Sequence, residues 1–270
     1  MCATCGCGDD GAVITLAGHD HPHDHEHHGH DHHHHDGHVH TETISLEQKV
    51  LAKNDLIADQ NRQWLAERAI LAFNVTSSPG AGKTTLLERT IRELGVDRPI
   101  AVIEGDQETL LDADRIRAAG ARAVQVNTGA GCHLDAAMIH RALETLDPTP
   151  GSLLFIENVG NLVCPALFDL GELSKVVVVS VPEGADKPLK YPHMFAAAGL
   201  VIVNKIDLLP YVDFDLEVCR RHAKSLNANV NILPISATTG EGIAAWYDWI
   251  EVCANKLHVA GMSQGSVDKT

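Results

Sequence analysis

Aromatic residues make up only 4% of this 270-residue chain, and no lysine or arginine precedes Lys49. No apolar run approaches the about 20 residues that a membrane-crossing helix needs. Each shortage excludes something. With few aromatics the core must be aliphatic, and 44% apolar residues suffice for one substantial core plus a stretch that need not fold. The missing cations, a net charge of −15 and a pI near 5.5 exclude a nucleic-acid surface, which neutralises phosphate with clustered Lys and Arg. The amino terminus shows neither a basic segment nor the apolar stretch of a secretory leader, so a soluble, cytoplasmic protein that contacts no membrane is expected. Seven cysteines, an odd number, read as ligands and core thiols more naturally than as a disulfide framework.

What is there is organised around Ser77-Ser78-Pro79-Gly80-Ala81-Gly82-Lys83-Thr84-Thr85. An apolar run, Ala69 to Val75, precedes it, and Leu86 to Leu94 follows with helical apolar spacing. A strand, a glycine-rich turn and a helix make a phosphate-binding loop: backbone N–H groups and the helix dipole face the anion, Lys83 reaches the β- and γ-phosphates, and the Thr84 hydroxyl binds Mg²⁺. The usual first glycine is replaced by Ser77, while Gly80, Gly82, Lys83 and Thr84 keep the chemistry.

Residues 1–42 are a different material. Cys2, Cys5 and Cys7 place three thiolates within six residues, and thirteen histidines lie from His19 to His40 among Asp20, Asp24, Glu26, Asp31 and Asp36. Such a stretch builds no core, and a disordered metal-binding tail is expected. The cysteines suit a soft or borderline metal; loss of Met1 would free the Cys2 amine as a fourth ligand for square-planar Ni(II). Acids interrupt the histidine run and cysteines precede it, unlike an affinity tag, so its imidazoles read as many weak sites for metal storage. Residues 43–68 carry Val50, Leu51, Leu56, Ile57, Trp64 and Leu65 at roughly helical spacing, which predicts one or two amphipathic helices with Trp64 as a packing anchor.

From residue 69 to 260, short β-branched runs at 100–103, 123–126, 153–156, 176–179, 200–203 and 232–235 alternate with helix-length segments. This predicts an α/β fold, a mostly parallel sheet with helices on both faces, as in P-loop NTPases; residues 261–270 are left as a tail. Pro234 marks its run as an edge strand. Ligands of such sheets sit beyond the carboxyl ends of the strands.

Those ends supply Asn204-Lys205-Ile206-Asp207, a turn in which the Asp207 carboxylate accepts from guanine N1–H and the exocyclic N2 amine while the Lys205 stem covers the base. Ser236-Ala237 fits the turn that closes the base pocket through backbone N–H groups. Asp106 and Glu157 are the candidates to hold Mg²⁺, with Lys83 completing the catalytic set, although either acid would also serve as a helix cap. Glu157-Asn158-Val159-Gly160 takes the place of the D-x-x-G turn of other GTPases. No glutamine follows Gly160 to position water, so slow intrinsic turnover of GTP to GDP is expected. Cys132, His133 and Cys164 offer three ligands near the same edge, one short of a closed tetrahedral zinc site that a partner subunit would complete; spacing alone leaves buried thiols as an equal alternative. Cys219 and Cys253, in helical patterns, read as core thiols.

In these motifs and their order the chain resembles the HypB family of hydrogenase nickel-incorporation GTPases. The resemblance covers C-x-x-C-G-C, the histidine-rich insert, S-P-G-A-G-K-T-T, E-G-D, N-x-G-x-G-C-H, E-N-V-G-N-L-V-C-P and N-K-x-D. It implies a homodimer promoted by GTP and metal, which loads Ni(II) into the precursor of the [NiFe]-hydrogenase large subunit together with the nickel chaperone HypA. It implies high-affinity nickel at Cys2, Cys5 and Cys7, and nickel or Zn²⁺ at Cys132, His133 and Cys164. A urease-type nickel GTPase and a nickel storage protein are the alternatives.

Overall fold

The structure, a computed structural model, describes residues 13–15, 39–106, 111–129 and 131–264. Cys2, Cys5, Cys7 and the histidines from His19 to His38 lie outside the described residues, as do residues 265–270. In chain order come β1 (Val13–Thr15), α1 (Val39–Glu67), β2 (Leu71–Ser77), α2 (Lys83–Leu94), β3 (Ile100–Asp106), α3 (Leu111–Ala118), β4 (Arg122–Asn127) and α4 (Ala136–Leu146). The second half adds β5 (Leu153–Glu157), β6 (Ser174–Ser180), α5 (Lys187–Lys190), α6 (Pro192–Ala197), β7 (Ala198–Asn204), α7 (Leu216–Leu226), β8 (Asn231–Pro234) and α8 (Ile243–Gln264).

The strands form one sheet in the order β1-β4-β3-β5-β2-β6-β7-β8. Strands β2 to β8 run parallel, as the β-branched runs require, and β8 with Pro234 lies at an edge. From β2 the chain steps to one side for β3 and to the other for β6, β7 and β8. The carboxyl ends of β2, β5, β6 and β7 therefore surround a point where strand order reverses, which is where such sheets bind ligands.

All seven residues of β2 are buried, and their alternation divides the core. Leu71, Phe73 and Val75 point to the face covered by α2 and α8, against Leu86, Leu87, Trp246 and Ile250. Ala72 points the other way, towards Leu65 of α1 and Ile139 and Leu143 of α4, while Val177, Val201, Phe195 and Cys219 fill that face under α6 and α7. Phe73, Phe155, Trp246 and Trp249 gather with ring centroids 5.1 to 6.2 Å apart, so the scarce aromatics are pooled beneath α8. Burial pushes the Cys219 thiol up to about 11, in keeping with a core thiol.

Three boundaries differ from those expected. The lead-in is a single helix, one of the two forms expected, and it starts at Val39 inside the stretch assigned to the tail. No Pro or Gly stands between Val39 and Glu67, so nothing in the chain stops it. Val13–Thr15 pairs antiparallel with β4, so the stretch 1–42 is not uniformly without structure. Helix α8 runs past residue 260 to Gln264.

Trp64 is half-buried against the α1/α4 core, with the Arg68 guanidinium 3.9 Å from its ring centroid. Two buried asparagines fix α1 more firmly. Asn61 donates to the carbonyls of Ala136 (2.8 Å) and Leu170 (3.1 Å), and Asn54 donates to Asp169 O and accepts from Ala136 N–H. Asn61→Ala would remove both of these hydrogen bonds from a dry interior and is expected to cost roughly 2–4 kcal/mol. A lowered urea midpoint at unchanged slope checks this, and an unchanged midpoint contradicts it.

Candidate nucleotide and metal site

The turn after β2 opens directly into α2, so the N–H groups of that helix point at the volume the loop encloses. Gly82 has φ 96°, and a Cβ there would come within 2.5 Å of the Asn204 amide nitrogen. The close approach of the Asn204 side chain is what requires glycine. Lys83 Nζ donates to Ser77 Oγ at 2.9 Å, and burial lowers its pKa against the opposing pull of Glu157. The Thr84 hydroxyl donates to Glu157 Oε1 at 2.7 Å, while Glu157 Oε2 is buried without a partner. Glu157 and Asp106 are the last residues of the neighbouring strands β5 and β3.

Glu104 belongs beside them and was not singled out in the sequence. It is 3% exposed, lies opposite Glu157 in the β3–β5 register, and its Oε2 has no hydrogen-bond partner among the described residues. Its signal was a charged residue at an inward position of an apolar strand, continuing the alternation of Ile100 and Val102.

On the base side, Asn204 donates to Ala81 O (2.9 Å) and accepts from Ala237 N–H (3.0 Å), joining the phosphate loop to the 236–237 turn. Lys205 adopts φ 64°, a left-handed conformation that costs about 1 kcal/mol for a residue with a Cβ, and donates to Gly80 O at 2.7 Å. Asp207 Oδ1 is buried without a hydrogen-bond partner. The 77–85, 204–207 and 236–237 segments are thus brought together around one loop.

Cys132, His133 and Cys164 also converge, their ligand atoms all within 4.8 Å of one another. The two Sγ atoms are 2.7 Å apart, and neither cysteine is in a disulfide. Burial lowers the His133 pKa, against a raising contribution from Asp135, which favours the neutral imidazole that binds metals. Its ring packs on Phe168 at 3.9 Å between centroids. Asn161 Nδ2 donates to Cys132 O and Asn161 Oδ1 accepts from Val163 N–H, so one side chain holds the two segments that carry Cys132 and Cys164. Asp135 caps α4 through Met138 N–H and fixes the end of the first of them. Gly160 lies over the phosphate loop, where a Cβ would meet Pro79 at 3.1 to 3.3 Å.

A parallel sheet with a glycine-rich turn feeding a helix, a half-buried lysine at the start of that helix and an N-K-x-D turn beside it define a P-loop nucleotide-binding protein. Residues 71–234 match the CobW/HypB/UreG nucleotide-binding domain, and the chain belongs to that family. Among its relatives, the hydrogenase maturation factor HypB of Rhizobium leguminosarum bv. viciae is 58% identical over 78% of this chain and 71% of its own length. The HypB of Escherichia coli strain K12 is 57% identical, covering 77% of this chain and 72% of the relative. The crystal structure of HypB from Helicobacter pylori in complex with nickel is 36% identical, with a TM-score of 0.71 over 76% of this chain and 96% of that one.

The stacking of three acids near one lysine has a measurable consequence. Burial first, then the charges of Glu157 and Asp106, push the Glu104 carboxyl up to about 9. A folded-state pKa above the unfolded value of an acid means that unfolding releases a proton, so stability falls as pH rises from about 4.5 towards 9. Glu104→Gln removes that loss. The nucleotide-free variant is expected to melt several °C above the parent at pH 8, at roughly 2–4 °C per kcal/mol, and level with it near pH 4.5. Equal melting at both pH values contradicts the assignment.

Proposed function

We propose that the chain is a GTP-hydrolysing nickel metallochaperone that helps insert Ni(II) into the large subunit of [NiFe]-hydrogenase. The observation that carries this is the segment from Glu157 to Cys164. Its first residue bonds Thr84 of the phosphate loop, Gly160 packs on Pro79, Asn161 holds Cys132, and Cys164 closes the Cys132–His133 pair. Nucleotide and metal chemistry share one stretch of chain.

Asp207, with a buried acceptor to fill, reads the guanine N1–H and N2 amine, which adenine does not offer. Gly80, Ala81, Gly82 and Thr85 cradle the phosphates, and Lys83 neutralises them. Thr84 and the unpartnered Glu157 Oε2 fit a hard divalent cation, and Asp106 at the neighbouring strand end would complete its oxygen set. Mg²⁺ bound there would withdraw charge from the β- and γ-phosphates. Asn161, the residue after Gly160, is occupied by Cys132 O and Val163 N–H and so does not position an attacking water, in keeping with slow turnover.

Cys132, His133 and Cys164 supply three N/S ligands, and a second copy of the chain, drawn in by GTP, completes a nickel or zinc site. Cys2, Cys5 and Cys7 serve as the high-affinity nickel site and the His19–His40 tract as storage. The nickel chaperone HypA and the hydrogenase large-subunit precursor are the partners, and the cytoplasm is the compartment; no described helix is long and apolar enough to cross a membrane. A relative from Helicobacter hepaticus, 44% identical, bears the name hydrogenase/urease maturation factor, which favours urease as a second client.

Lys83→Ala tests the proposal in cells that depend on this chain for hydrogenase. Both GTP turnover and the nickel content of the hydrogenase large subunit are expected to fall at least about tenfold, the loss of roughly 1.4 kcal/mol or more of phosphate stabilisation. Lost turnover with normal nickel content would instead make the chain a store.

A further inference from the structure

Helix α2 leaves the phosphate loop at Lys83, and one and a half turns on it carries Arg89 to the far side of the base-closing turn. Arg89 Nη1 donates to Ala237 O and to Thr238 O, each at 3.2 Å. The guanidinium is itself braced: its Nε lies 3.0 Å from Glu93 Oε1, and the Tyr247 hydroxyl of α8 donates to Glu93 Oε2 at 2.9 Å. Gly240, at φ 88°, leaves the room it needs, since a Cβ there would stand 2.6 Å from Arg89 Nη2. An arginine half-buried between two helices thus holds two consecutive carbonyls of one turn.

What those carbonyls fix is the direction of the N–H groups behind them. In a planar trans peptide the C=O and N–H of one unit point in opposite directions. Holding Thr238 O aims the Thr239 N–H, which donates to Ser236 Oγ at 3.1 Å. Holding Ala237 O aims the Thr238 N–H away from α2. The Ala237 N–H is taken by Asn204, the Ser236 N–H by Glu241 O and the Gly240 N–H by Ser236 O. That leaves the Thr238 N–H as the donor of this turn without a partner among the described residues.

We propose that Arg89 is a positioning residue for nucleotide specificity: by gripping Ala237 O it aims the Thr238 N–H at the 6-oxo group of a purine whose 2-amino edge Asp207 reads. The inference rests on the guanine-binding reading above and deepens it, because it assigns the 6-position to a turn set by α2. The same helix then presents Lys83 and Thr84 to the phosphates and the Thr238 N–H to the base.

The test is the affinity of the full chain, and of its Arg89→Ala and Arg89→Lys variants, for GDP, 6-thio-GDP and IDP. 6-Thio-GDP changes only the acceptor at position 6, and IDP lacks only the 2-amino group. The parent is expected to prefer GDP over both. Arg89→Ala should bind GDP roughly tenfold more weakly, the order of one lost hydrogen bond, and its preference over 6-thio-GDP should fall to within about twofold of unity. Its preference over IDP should remain. Arg89→Lys, which keeps one carbonyl contact, should lie between. An unchanged preference over 6-thio-GDP overturns the proposal, as does a parallel loss of both preferences, which would mark a merely structural arginine. If Arg89→Ala does not fold, the lysine variant alone decides by the same ratios. A parent that binds GDP and IDP equally overturns the base reading itself.

Discussion

The Thr84 hydroxyl donates to Glu157 Oε1 across 2.7 Å, tying the first turn of α2 to the carboxyl end of β5. Both partners are buried, and among the described residues the second carboxylate oxygen has no donor to accept from. Burial raises the Glu157 pKa, and Lys83 and the Thr84 hydrogen bond pull it back. An acid held in that balance responds to whatever charge enters the loop, because a cation or a phosphate beside it changes the largest electrostatic contribution it feels. The rest of the site is arranged around this contact.

One residue beyond Glu157, Asn158 sends the contact inward. Its Oδ1 accepts from Leu134 N–H, directly after His133, and from Val159 N–H. Its Nδ2 donates to Asn74 Oδ1, and Asn74 donates to Glu172, which is paired with Lys175 at 2.9 Å. Lys175 also donates to Phe168 O, and the Phe168 ring packs on His133. A buried ion pair such as Glu172–Lys175 is weak evidence of stabilisation, since its desolvation offsets its attraction. Here the network ties the residue after Glu157 to the Leu134 N–H that follows His133, and through Lys175 to Phe168, whose ring backs His133.

Much of this was legible in the sequence, for reasons that can be named. The β-branched runs, the glycine turn with Lys83, and the polar residues at strand ends are local signals, and each lies where the parallel sheet places its ligand edge. Asp207 and the Cys132–His133–Cys164 set were candidates by residue type and by their place at strand ends, and the fold brings the three N/S ligand atoms of that set within 4.8 Å of one another. What escaped depends on partners distant in the chain. Glu104, a charge at an inward strand position, gains its partner in the site only once β5 brings Glu157 beside it, and Arg89 looks like any surface arginine until the 237–240 turn folds back on α2. Asn54 and Asn61 read as polar positions of an exposed helix, yet they face α4 and the 169–170 backbone. Helix α1 began earlier than expected because composition suggested disorder where no helix breaker follows Val39.

The central claim is that nucleotide and metal share one segment, so that each must change the other's affinity by the same factor. The most direct measurement is nickel and zinc binding by a chain beginning at Val39, which keeps all of α1 and removes the competing tail, in GDP and in a non-hydrolysable GTP analogue with dimer fraction followed in parallel. The account predicts tighter binding and more dimer with the GTP analogue, by about 5- to 150-fold, the usual span of coupling between two sites. Equal affinities in the two nucleotide states would contradict it and leave the Glu157–Cys164 segment as a structural bridge alone.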